Sequence, residues 1–160
     1  MTVARTSIVG SHYFDLNIEK VLEHWPVEFA IREVIANALD EHAIAGGQEP
    51  EIAQIGTDSW AIVDYGRGLR YEHLTQKENP EKRTHPAVIG QFGMGLKDAL
   101  AVFHRRGVTV EIRSPHGDMS TEMRPKEGFA DVVTLHAAVT SPSAPQARGT
   151  TVILRGVSTE

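Results

Sequence analysis

Three groups of residues combine types and spacing that could do chemistry. Glu33, Asn37 and Asp40 stand at i, i+4 and i+7. At roughly 100° per residue of a helix they fall in one narrow stripe, so three short acceptor groups share a face. The same stripe is also what a solvated helix face looks like. Asp64-Tyr65-Gly66-Arg67-Gly68 places a carboxylate among glycines that permit close backbone approach to a ligand. Such a carboxylate can accept a hydrogen bond from an exocyclic amine such as that of adenine. An ordinary Gly-containing turn has the same composition. Gly90-Gln91-Phe92-Gly93-Met94-Gly95-Leu96-Lys97 bares backbone N–H groups ahead of an expected helix N-terminus, the arrangement that cradles phosphate. It is not a Walker A loop, because Leu96 separates Gly95 from Lys97, and it lacks the third glycine of the dinucleotide fingerprint.

The elements that must position these groups are legible from periodicity. Phe14, Ile18, Val21, Leu22 and Trp25 recur at helical spacing and predict a first helix ending before Pro26. A second helix opens near Pro26 and carries Val27, Ala30, Ile31, Val34, Ile35, Ala38 and Leu39 on one stripe, with the Glu33, Asn37 and Asp40 stripe opposite it, and stops before Gly46 and Gly47. Residues 51–56 and 60–63 read as a hairpin of two strands around Thr57, Asp58 and Ser59. Residues 70–84 lose apolar character and read as a mobile surface loop. A third helix holds Leu96, Ala99, Leu100 and Phe103 on its stripe and ends at Arg105, Arg106 and Gly107. Strands are expected over 108–113, 120–123, 129–139 and 150–154, with a turn over 115–118. Helices early and strands late predict an α+β, two-layer arrangement, a mixed and mostly antiparallel sheet with helices on one face. Trp25, Phe14 and Phe103 are expected in the core.

At 160 residues the chain is expected to form a single domain over 1–160. A formal net charge of -5 speaks against a broad basic footprint, so nucleic acid is not implied. There are no cysteines, which removes disulfides, thiolate metal sites and a cysteine nucleophile and fits a reducing cytoplasm. The N-terminus has no signal-peptide pattern, and no run approaches the ~18 apolar residues of a membrane span, so a cytoplasmic protein with no membrane association is expected. The eight histidines show no HExxH-type zinc spacing, and no Gly-x-Ser-x-Gly turn occurs.

In this order and at these separations, the three groups resemble the N box and the two glycine boxes of GHKL ATP-binding domains, the superfamily of DNA gyrase, Hsp90, histidine kinases and MutL. Gly149-Thr150-Thr151 resembles a fourth element of that family, a Gly-Thr pair near the phosphates. The resemblance spans roughly residues 29–155. The stretch from Ile89 to Leu96 is worded most like Hsp90, and the following Lys97 more like the MORC ATPases. The resemblance implies a Bergerat fold and ATP with Mg²⁺ as ligand and cofactor. It makes Glu33 the general base that activates the attacking water and Asn37 the Mg²⁺ ligand, with Asp40 supporting the site through water. Asp64 would receive the adenine amino group, framed by Gly66, Gly68 and Leu69. Residues 70–89 would be an ATP lid that orders on binding. Gly90, Gln91, Phe92, Gly93, Met94, Gly95, Leu96 and Lys97 would hold the phosphates, Lys97 adding charge neutralisation, and Thr150 would complete the pocket.

The implied activity is slow Mg²⁺-dependent ATP hydrolysis that couples nucleotide state, ATP or ADP, to conformational change or to a nucleotide-dependent homodimer. Two other readings share the fold: a protein kinase of the histidine or anti-sigma serine type, and an ATP-gated binding module without significant turnover. No upstream helix pair with an acceptor histidine is visible to support the kinase. In gyrase, Hsp90 and MutL a following domain supplies a lysine to the γ-phosphate. Here the sequence ends at Glu160, six residues past the last expected strand, so that lysine is expected from a further domain or a protein partner.

Overall fold

The computed structural model describes residues 10–16, 24–75 and 95–158. In chain order its elements are β1 (His12–Asp15), α1 (Val27–Ala45), β2 (Glu51–Gln54), β3 (Ser59–Val63), α2 (Glu72–Thr75), α3 (Leu96–Arg105), β4 (Thr109–Ser114), β5 (Gly117–Lys126), β6 (Phe129–Thr140) and β7 (Thr151–Arg155). The strands form one seven-stranded sheet in the order β1-β6-β5-β4-β7-β3-β2, so the fold is α+β. Every strand pairing among the described residues is antiparallel, and the parallel component of the expected mixed sheet is not among them. No helix of the described residues is long and apolar enough to cross a membrane.

Helix α1 begins after Pro26, whose φ of -75 already suits a helix entrance. It stops at Gly46, where φ is 70 and the N–H reaches the carbonyl of His42. Ala30, Val34 and Ala38 face the core, with Val27, Ile31 and Ile35 packed beside them. Leu39 departs from the expected stripe. It lies about 180° around the helix from Ala30 and is 44% exposed.

In the strands, residues two apart share a face, and one such set supplies the sheet's part of the core. Ile62, Val110, Ile112, Met119, Leu135, Ala137, Val139, Val152 and Leu154 join Ala30, Val34 and Ala38 of α1 and residues 99–103 of α3 in one apolar cluster. Phe103, Ile112 and Leu154 are essentially without exposure. Burying each contributes roughly 1.5–3 kcal/mol before the entropy of ordering it is counted. Glu111 alternates out of that cluster. It accepts hydrogen bonds from Arg113 (2.8 Å) and Arg155 (3.1 Å). Partial burial pushes its carboxyl up, but the two guanidinium groups outweigh this and hold it below the usual range. Exposed pairs of this kind are worth ~0–1 kcal/mol, so apolar burial rather than this network secures the central strands.

Several expectations are corrected. Phe14 does not begin a helix. It sits in β1, which pairs with β6 (Phe14 opposite Ala137), and its ring stacks on Tyr71 at 5.2 Å. The edge of β6 offers residues 12–15 interstrand hydrogen bonds that outweigh the helical periodicity read from Phe14 onward. Trp25 precedes α1 and packs against the core, whereas Ile18, Val21 and Leu22 lie outside the described residues. The expected mobile loop over 70–84 starts as structure: Tyr71 leads into α2, and Leu74 is buried in the core. The remainder of the expected lid, 76–89, lies outside the described residues. Strand β5 is longer than expected on both sides, because twelve-residue β6 gives it a pairing partner along its length. The turn therefore tightens to Pro115 and His116, and Asp118 belongs to β5.

Candidate functional site

Asp64 follows β3 and Thr150 precedes β7, and these two strands pair antiparallel with Val63 opposite Thr151. Their pairing brings together residues 86 positions apart in the chain. The Asp64 N–H donates to the Thr150 carbonyl at 2.9 Å, and the Thr150 N–H donates to Oδ1 of Asp64 at 3.2 Å. Oδ1 also accepts from the Gly66 N–H at 3.0 Å. The Thr150 hydroxyl oxygen accepts the Leu69 N–H at 2.8 Å. Asp64 and Thr150 are each 7% exposed. A carboxylate and a hydroxyl, both buried and both hydrogen-bonded to backbone, thus hold the turn Asp64 to Leu69 in one shape. Buried polar groups persist only when paired in this way.

The rest of the turn is equally anchored. The Leu69 carbonyl accepts the Ser114 hydroxyl at 2.6 Å, the Arg67 carbonyl lies 3.0 Å from Nε2 of His116, and the Tyr65 carbonyl accepts from Nε of Arg148 at 3.0 Å. The Tyr65 hydroxyl donates to Glu51, and this hydrogen bond to a carboxylate holds the phenol above its ordinary pKa. Gly68 needs to be glycine on two counts: its φ is 88, and a Cβ would lie 2.8 Å from Cδ of Pro115. No protein-family model matches the chain.

The chain is similar to a protein of Mycoplasma pneumoniae described as uncharacterized, with 45% identity over 122 residues. The match takes in 74% of this chain and 49% of that protein, so the chain spans about half the length of the curated relative it matches. That relative's description names no activity.

The stripe Glu33, Asn37 and Asp40 is not the solvated face opposite the apolar stripe. Asp40 is 0% exposed, and Glu33 and Asn37 are half-buried. At about 100° per residue, Asn37, Glu33 and Asp40 lie roughly 20°, 60° and 80° around the helix from the fully buried Ala30. Burying polar side chains on a helix is costly unless they are engaged, and all three make polar or electrostatic contacts within the protein. The next turn of the same side carries Glu41. Its Oε1 accepts from the Arg67 N–H at 3.3 Å and from Arg67 Nε at 2.7 Å, and its Oε2 accepts from Nη2 at 3.1 Å. Helix α1 therefore meets the Asp64 turn through Glu41, with Asn37 one turn and Glu33 two turns away along the same side. Among the described residues no group of three or more His, Asp or Glu is arranged to hold a metal ion. Mg²⁺ that travels with a nucleotide takes only one or two protein oxygens beside phosphates and water, a demand that the Asn37 amide can meet.

Of the expected phosphate loop, Gly90, Gln91, Phe92, Gly93 and Met94 lie outside the described residues. Gly95 is the N-cap of α3, and its N–H donates to Oδ2 of Asp98 at 3.1 Å. Leu96 packs against the core, and Lys97 is half-buried in the first turn of a helix that packs against α1. The structure thus joins Asp64, Gly66, Leu69 and Thr150 by direct hydrogen bonds, sets Gly68 against Pro115 in the same turn, and ties that turn to the helix of Glu33, Asn37 and Asp40.

Sequence reasoning missed Glu41, Ser114, His116 and Arg148. None belongs to a local motif, and each reaches the turn only through folding. Gly149 has the sharpest requirement. Its φ is 83, and a Cβ there would overlap the carbonyl oxygen of Asp64 and lie 2.7 Å from the Tyr65 Cα. Gly149→Ala is expected to destabilise the domain by about 3 kcal/mol or more, from left-handed strain plus the displaced backbone. A urea denaturation midpoint equal to that of the wild type would show that the two segments are not packed this closely.

Proposed function

We propose that the chain is a GHKL-type nucleotide-binding domain that binds ATP with Mg²⁺ and hydrolyses it slowly, coupling nucleotide state to a change of conformation or assembly. The observation that carries this reading is the hydrogen-bonded unit of Asp64, Thr150 and Leu69. It unites two motifs 86 positions apart in the chain around one buried carboxylate of the kind that could receive an exocyclic amine. The inward-turned stripe on α1 supports it, since acceptors are buried on a helix at a cost that a general base and a Mg²⁺ ligand would explain. The single cluster uniting α1 and α3 with one alternate set of sheet residues supports a two-layer Bergerat arrangement with the helices on one face.

In this reading Asp64 selects the base, and Gly66, Gly68 and Leu69 frame it. Asn37 holds Mg²⁺, which neutralises phosphate charge when bound. Glu33 takes the proton of the attacking water, and residues 90–97 supply backbone N–H groups and the Lys97 ammonium to the phosphates. Calorimetric titration of the chain with ATP and Mg²⁺, with phosphate release followed in the same samples, tests it. Saturable binding that weakens on chelating Mg²⁺, with slow release, is expected. Binding without release would reduce the function to an ATP-gated module, and absence of binding would overturn the assignment.

A further inference from the structure

Glu41 lies at a junction that none of the motifs contains. Its side chain is 17% exposed and runs from α1 against the backbone of Gly66, where a Cβ would collide with its Cγ. From there it grips Arg67 twice, at the backbone N–H and with both oxygens on the guanidinium. We propose that Glu41 is a positioning residue that sets the orientation of the Asp64 turn and, through it, the discrimination between an amino-bearing and an oxo-bearing purine. The inference rests on the nucleotide reading above.

The Arg67 side chain is 43% exposed, and an ion pair so open to water adds little to stability. Its bidentate form instead fixes direction, because a planar guanidinium and a carboxylate meet in one orientation. The Glu41–Arg67 contact falls between Asp64 and Leu69, the two residues that Thr150 already pins. Nε2 of His116 lies 3.0 Å from the Arg67 carbonyl oxygen, so Arg67 is held at both its N–H and its C=O. Gly66 is glycine because the space a side chain would need belongs to Glu41. With α1 and the turn locked together, the residues on α1 and the base acceptor keep a constant relation. Adenine offers an amino donor to the Asp64 carboxylate, whereas guanine offers a carbonyl oxygen that a carboxylate repels. That distinction survives only while the carboxylate is held in direction.

The test uses the full chain as wild type, Glu41→Ala and Glu41→Gln. Melting temperature, amide hydrogen exchange over residues 64–69 without nucleotide, and affinities for ATP and GTP are measured on each. Glu41→Ala is expected to keep its melting temperature within about 3 °C, as loss of an exposed pair should. Exchange over 64–69 should quicken about tenfold, ATP affinity should fall about tenfold, and GTP affinity should stay nearly constant, so that the preference for ATP shrinks. Glu41→Gln retains an oxygen for the Arg67 N–H and should recover part of both losses. Unchanged exchange in Glu41→Ala, or equal losses for ATP and GTP, would overturn the proposal. If the wild type bound neither nucleotide, the nucleotide reading and the base discrimination would both fall, and the exchange data alone would then decide whether Glu41 positions the turn.

Discussion

Asp64→Asn is expected to cost about a hundredfold in ATP affinity while leaving the domain folded. The substitution keeps an oxygen that can accept from the Gly66 and Thr150 N–H groups, as Oδ1 of Asp64 does at 3.0 and 3.2 Å. The turn therefore retains its internal bonds. The other carboxylate oxygen becomes an NH₂ donor, and an adenine amino group brought to it would meet donor with donor. Loss of a charge-assisted hydrogen bond, together with a donor left unsatisfied in a buried site, amounts to roughly 3 kcal/mol, which is the hundredfold given. Calorimetric titration of ATP with Mg²⁺ measures the affinity, and circular dichroism checks the fold. Wild-type affinity in a folded Asp64→Asn chain would remove Asp64 from base recognition and leave it as a turn-stabilising residue.

Glu33→Gln is expected to separate chemistry from binding. A positioned general base contributes about 10²–10⁴-fold to a rate, so phosphate release should fall by that range. ATP affinity should stay within about twofold, because the amide has nearly the same shape and the proposed Mg²⁺ ligand is Asn37, one turn further along α1. Glu33 is half-buried and already engaged within the protein, so the melting temperature is read alongside the rate to account for any change in that engagement. Release at the wild-type rate would show that Glu33 is not the base. A parallel loss of affinity and rate would instead mark Glu33 as part of the binding surface.

The two substitutions act on different elements, and their separability reflects how the site is assembled. Asp64 belongs to a turn at the end of β3 that is pinned by the start of β7, whereas Glu33 rides on α1. Glu41 ties the turn to α1 through Arg67, and Ile62 of β3 shares the apolar cluster with Ala30, Val34 and Ala38 of α1. If the Glu41 inference holds, Asp64→Asn and Glu41→Ala should prove non-additive in ATP affinity, since both act on the same carboxylate direction.

What the sequence by itself determined is local. The stripe from Val27 to Ala38 and the glycines at 46 and 47 delimit α1, because one face must be apolar and the chain must then reverse. Alternation placed β2, β3, β4, β6 and β7 within a residue or two, since a strand with one buried face repeats every second residue. The motifs at 33–40, 64–68 and 149–151 were visible because each is a run of unusual residue types at short spacing. The tertiary structure alone decided what depends on distant partners. Phe14 became strand because β6 offers an edge and Tyr71 offers a stacking partner. Asp40 became fully buried because α1 turns the flank of its apolar stripe inward, and a helical wheel shows angles without saying how wide the buried arc is. Glu41, Ser114, His116 and Arg148 became parts of the site because their reach spans tens of residues of sequence, from 26 for Glu41 to Arg67 to 83 for Arg148 to Tyr65. Periodicity reports how a segment divides itself between core and surface, but the contacts that shape a site are made between segments, and those exist only once the sheet has brought them together.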